Sequence, residues 1–71
     1  MDWNTVFSDI QQWMQESNKV LQRYPITSDD YWTWLIRSIG ELSTKYDNHP
    51  LVIGFLTVLI DFQQKQYEGV A

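Results

Sequence analysis

The run Asn48–Phe62, NHPLVIGFLTVLIDF, constrains the fold of this chain more than any other stretch. On a helix at about 100° per residue, Leu51, Phe55, Leu59 and Phe62 share one side. Val52, Leu56, Ile60 and Ile53 extend that side to an apolar arc of roughly 200°. A surface helix usually shows a stripe nearer about 100° wide, so this one needs cover from at least two neighbours. Gly54, Thr57, Asp61, Gln64, Lys65 and Glu68 make up its polar strip.

The competing reading is a strand, because Val52, Ile53, Val58 and Ile60 are β-branched. Strict alternation is absent, and the run outlasts the usual strand of about 5–6 residues. Asn48 suits an N-cap, Pro50 suits the first turn, and Asp61 with Lys65 forms an i,i+4 pair in the favourable order. The segment reads as a helix. It is shorter than the ~18–20 apolar residues of a membrane span, and no membrane association is expected.

Upstream, Trp3, Val6, Phe7, Ile10, Trp13, Met14, Val20 and Leu21 recur at helical spacing, with Ser17 at the one skipped heptad position. They fill an arc of roughly 140° on a helix from about residue 3 to 23, capped by Asp2 or Asn4. Asp2, Asp9 and Glu16, seven apart, draw an acidic edge along it. That edge reads as a solvated rim or as a docking edge for a basic partner. Pro25 ends this helix at or before Tyr24.

Thr27 or Ser28 caps a second helix over about residues 29–46, with Asp29 and Asp30 in the first turn where the macrodipole favours them. Trp32, Leu35, Ile36, Ile39, Leu42 and Tyr46 share an arc of roughly 120° and form its expected buried face. Gly40 is read as a place for close backbone approach. The third helix covers about residues 49–67, with Gly69 as its C-cap and a frayed end after it. Short connections make the neighbours antiparallel, so residues 1–71 are expected to form one all-α domain, a three-helix up-down-up bundle.

At 71 residues such a domain buries only about 60% of its unfolded surface and is marginal in stability. Without cysteine there is no disulfide, thiolate nucleophile or cysteine-based metal site. With no basic and apolar leader pattern at the start, a cytoplasmic setting is expected. The net charge of −4, with Lys19, Arg23, Arg37, Lys45 and Lys65 scattered, speaks against nucleic-acid binding. It speaks equally against an anionic membrane surface.

Chemistry-bearing residues are sparse. His49 is the sole histidine, and Asp47-x-His49 lacks the third ligand that a catalytic zinc site requires. It reads as a helix-start residue. Neither a phosphate-binding loop nor an H-E-x-x-H or calcium-loop spacing occurs. No enzyme, cofactor, metal or small-molecule substrate is expected.

Trp34 falls near the centre of the second helix's polar face, between Glu41 and Lys45, with Tyr31 partway round towards it. Tryptophan is the commonest hot-spot residue, so Tyr31 and Trp34 are the candidate partner-binding residues. Ile53 and Ile60, seven apart and extending beyond the Leu51–Phe62 side, are with Val58 the candidate seam of a homodimer through the third helix. The leading reading is a non-enzymatic protein–protein interaction module. Short acidic chains also suit accessory roles within larger assemblies, of the kind that phages and mobile elements encode. The alternative is a small nucleic-acid-associated regulator with a helix-turn-helix-like arrangement, to which the third helix would bring a single lysine.

Overall fold

The computed structural model of the protein describes residues 1–70 and consists of three helices: α1 (Trp3–Arg23), α2 (Asp29–Lys45) and α3 (Pro50–Val70). Their ends follow from local chemistry. The Asp2 carboxylate caps α1, accepting from the backbone N–H of Asn4 at 3.0 Å and from the Thr5 hydroxyl at 2.8 Å. Those hydrogen bonds, that from Thr5 foremost, hold the Asp2 carboxyl below its ordinary pKa. Ahead of Pro25, Tyr24 adopts extended backbone and ends α1. Ser28, rather than Thr27, caps α2 by accepting from the Asp30 N–H at 3.1 Å.

The α2–α3 turn departs from the expected cap. The N–H of Asn48 reaches the Ser43 carbonyl at 2.8 Å, and that of Asp47 reaches Thr44 at 3.1 Å. This is the paired pattern of a Schellman ending, with Asp47 in the position that glycine usually takes. Asp47 and Asn48 both have positive φ, 57° and 55°. Asn48 therefore closes α2 and does not cap α3. His49 caps it instead, its Nδ1 accepting from the Leu51 N–H at 3.2 Å and its carbonyl from Ile53 at 2.9 Å. The imidazole also meets the Trp3 ring edge-on, with centroids 5.5 Å apart.

Two glycine expectations are corrected. A Cβ built at Gly40 meets nothing within 4 Å, so no neighbouring backbone packs against it. Gly69 has no positive φ and lies inside α3, which continues to Val70. The frayed end expected after it includes Ala71, which lies outside the described residues.

α2 packs against both α1 and α3, whereas α1 and α3 meet each other more sparsely. The core is Val6 and Trp13 from α1, Tyr31, Leu35 and Ile39 from α2, and Val52 and Leu56 from α3. Burial of side chains of this size stabilises by about 1.5–3 kcal/mol each. Of the expected α2 face, Leu35 and Ile39 are buried and Trp32, Leu42 and Tyr46 pack partly buried against the core. The face is shifted toward Tyr31, which is fully buried, and Ile36 is 69% exposed. On α3 the buried line is Val52–Leu56–Gln63, which leaves Leu51 and Phe62 outside. Among the described residues no helix is long and apolar enough to cross a membrane.

Candidate interaction surface

A polar contact ties the three helices together at the level of the first turn of α2. The Tyr31 hydroxyl lies 2.9 Å from Ser17 Oγ on α1 and donates to Gln63 Oε1 on α3 at 2.9 Å. Tyr31 has no exposed surface, and burial pushes its phenol above the ordinary tyrosine pKa. A partner cannot touch Tyr31 on the folded chain, which corrects its placement at the surface. Its position one turn before Leu35 and two before Ile39 puts it on the core stripe, because i, i+4 and i+8 share a helix face.

Trp34 is also drawn inward. Its ring stacks on Trp13 with centroids 5.4 Å apart and planes 21° from parallel, and it lies 5.8 Å from the Tyr31 ring. Trp13 is in turn fixed by its indole N–H, which donates to Ser38 Oγ at 2.8 Å. Trp34 is half-buried rather than wet on a polar face. Its outer side remains on a shallow cleft between α1 and α2, bordered by Glu16, Glu41 and Lys45.

The acidic edge of α1 is largely engaged within the chain. Asp9 accepts from Lys45 Nζ at 2.6 Å and also from the Tyr46 hydroxyl, joining α1 to the end of α2. Hydrogen bonds from Lys45 first, then Tyr46, hold its carboxyl below the usual range. The same contact raises Lys45 and Tyr46. Asp2 caps α1, and Glu16 pairs with Lys19 at 3.4 Å. Lys19 and Lys45, two of the five cations, thus lie against carboxylates of the chain itself.

The candidate dimer residues fall on different sides of α3. Val58 is 65% exposed and Ile53 36% exposed, while Ile60 is half-buried against the core. At 3.6 residues per turn Val58 lies about 140–160° round the helix from Ile53 and Ile60, so one flat seam cannot hold all three.

What does sit with Val58 is a different set. Phe7 of α1 touches Phe55 of α3 edge-on at 5.6 Å. Further along, Met14, Asn18, Val58 and Phe62 border a groove floored by Trp13, Ser17, Leu59 and Gln63. The groove continues past Leu21, Phe62 and Gln66. Phe7, Met14, Leu51, Val58 and Phe62 are each at least half exposed, and Leu51 precedes Phe55 by one helical turn. Leu51, Phe55, Val58 and Phe62 follow a 4-3-4 spacing, the signal by which this stripe was readable in the sequence. Among the described residues no three His, Cys, Asp or Glu side chains gather as a metal site. Comparison with protein-family models, curated proteins and solved structures finds no match to this chain.

Proposed function

We propose that this chain is a cytoplasmic, non-enzymatic protein–protein interaction module whose working surface is the apolar face between α1 and α3. One observation carries the reading: Phe7, Met14, Leu51, Val58 and Phe62 are all at least half exposed on that face. Monomeric proteins rarely leave a contiguous apolar patch larger than a few hundred Å² in water, and patches of that kind mark interaction sites. Aromatic residues and methionine are also enriched in interfaces relative to the rest of the protein surface. Trp34, with one side on the α1–α2 cleft, is a secondary contact in this reading.

The test is capture from the native cell with the wild-type chain and a Phe62→Lys variant side by side. Phe62 is 57% exposed, so the variant is expected to fold. The expected result is a specific set of captured proteins, or added copies of the tagged chain itself, lost with Phe62→Lys. Identical captures from both chains would refute the assignment of this face.

A further inference from the structure

Resting on that reading, we propose that the occupant of the α1–α3 face is a second copy of this chain, joined across a two-fold axis. The first argument is area. The five exposed side chains Phe7, Met14, Leu51, Val58 and Phe62 offer together roughly 400 Å² per chain, taking about half of the ~150–250 Å² that an aromatic side chain can bury for the two phenylalanines and somewhat less for the three smaller side chains. Two such faces together bring about 800 Å² from these side chains alone, close to the ~1,000 Å² at which a specific interface becomes credible. The surrounding exposed amides and the half-buried Phe55 add to that area and bring the total to about that threshold.

The second argument is chemical. A two-fold seam sets each patch against itself, so its groups must tolerate their own kind. With nine acidic and five basic residues, the chain has a net charge that would repel its copy if the carboxylates lay at the seam. They do not. On the α3-facing flank of α1, Phe7 and Met14 alternate with Asn4, Gln11 and Asn18, three exposed amides seven residues apart. An amide both donates and accepts, and so pairs with its own copy as a carboxylate cannot. Polar residues repeated among apolar ones at heptad spacing also fix register and oligomer state in helical assemblies. Asp9 and Glu16 lie on the opposite flank of α1, where Asp9 bonds Lys45. On α3 the stripe from Leu51 to Phe62 is bordered by Asp61 and then Lys65, one of each sign, which complement each other across a two-fold.

The third argument is placement. α2 already covers both other helices, and the sparse α1–α3 contact leaves this the open side of the bundle. A copy seated there completes the cover that the wide apolar arc of α3 requires.

Sedimentation velocity on the untagged chain from about 1 to 300 μM tests the proposal, with Phe62→Glu, Met14→Glu and Ile36→Glu run alongside. Circular dichroism melts verify that each variant is folded. The wild type and Ile36→Glu, a control at the 69% exposed position outside the face, are expected to dimerise in the micromolar range. Phe62→Glu and Met14→Glu are expected to weaken association at least tenfold, and a melt-verified loss in either one suffices if the other does not fold. A wild type that stays monomeric throughout overturns the homodimer. The capture experiment with Phe62→Lys then decides separately whether the face serves another protein. A dimer indifferent to Phe62→Glu and Met14→Glu but broken by Ile36→Glu overturns the seam and moves it to the other side of the bundle.

Discussion

Replacing Tyr31 by phenylalanine removes one oxygen atom and isolates the contribution of the contact that joins all three helices. The ring is kept, so the apolar area that it buries is unchanged and no cavity larger than a hydroxyl opens. Two hydrogen bonds are lost, to Ser17 and to Gln63, each worth about 1 kcal/mol net. The partners left behind add a penalty of about 1–3 kcal/mol per unsatisfied buried group. Relief is available to both. The Ser17 hydroxyl, 2% exposed, can turn to the carbonyl four residues earlier in α1, and the Gln63 amide borders the open groove where water reaches it. The expected loss is therefore about 2–3 kcal/mol, the two bonds plus a small residual penalty. In a domain of this size that lowers Tm by about 10–20 °C. Urea unfolding followed by circular dichroism gives the value, and a double-mutant cycle with Ser17→Ala tests the cause. If the bond exists, Ser17→Ala adds little to Tyr31→Phe, and the coupling is about 0.5–1.5 kcal/mol. Strict additivity, or a Tyr31→Phe chain within about 0.5 kcal/mol of wild type, refutes the bridge.

Trp34→Ala is expected to destabilise by about 1–3 kcal/mol, because it deletes a stacked aromatic pair worth about 0.5–1.5 kcal/mol beyond the area it covers on Trp13. A thermal melt indistinguishable from wild type would place Trp34 off the bundle. The Asp9 contact gives a pH dependence at both ends. Its depressed carboxyl pKa means that the contribution is complete above the unfolded aspartate value of about 3.9 and is lost as pH falls through the lower folded value. Lys45 and Tyr46 are raised, so their share is complete below about pH 10 and fades as pH climbs through their folded values. The stability gap between wild type and Asp9→Asn, read from urea midpoints, should be flat between about pH 5 and 9 and narrow on both sides. A gap that widens on acidification would contradict the pairing.

The helices were legible because each carries its own punctuation. Pro25 stops α1, Ser28 and the paired aspartates start α2, and Pro50 fits the first turn of α3, so the three spans were recoverable within a few residues. The rotation of α2 was not. Counting apolar residues found Leu35 and Ile39 but put Ile36 on the buried face and left Tyr31 off it, since an isolated tyrosine ranks as amphipathic and an isoleucine as core. The fold instead buries Tyr31 because Ser17 and Gln63, two polar residues on other helices, satisfy its hydroxyl. No single-helix pattern contains that information, although Ser17 at a skipped heptad position was its trace. Turning α2 to seat Tyr31 also draws Trp34 inward onto Trp13 and swings Ile36 out to solvent. A single rotation accounts for all three differences. The α2–α3 turn was misjudged for a related reason: Asn48 has the chemistry of an N-cap, but also tolerates the left-handed backbone that a Schellman ending demands.

The same exchange of polar for apolar bears on the surface. Of the nine buried positions, Ser17 and Gln63 are polar, while Phe7, Met14, Leu51, Val58 and Phe62 stay half exposed or more. A bundle evolved only to stand alone would do better with the assignment reversed, since replacing both partners of a buried hydrogen bond with apolar groups is nearly neutral or favourable. Wet phenylalanines contribute little to a monomer's stability and raise its tendency to associate. The buried triad has a property that an apolar core lacks: it is satisfied in one mutual rotation of the three helices and unsatisfied in others. Fixing α1 and α3 through Tyr31 fixes how their outer flanks stand relative to each other. The groove between them is floored by two members of that triad, Ser17 and Gln63. A rigid floor beneath an apolar rim is the arrangement a binding face needs, because contacts made without reordering keep more of their free energy. On this argument Tyr31→Phe should loosen the groove as well as the fold, and should weaken association across the α1–α3 face even at temperatures where the variant is fully folded. Sedimentation of Tyr31→Phe at 10 °C, well below its melt, is the measurement. A dissociation constant equal to that of wild type would separate the triad from the face and leave it a purely internal device.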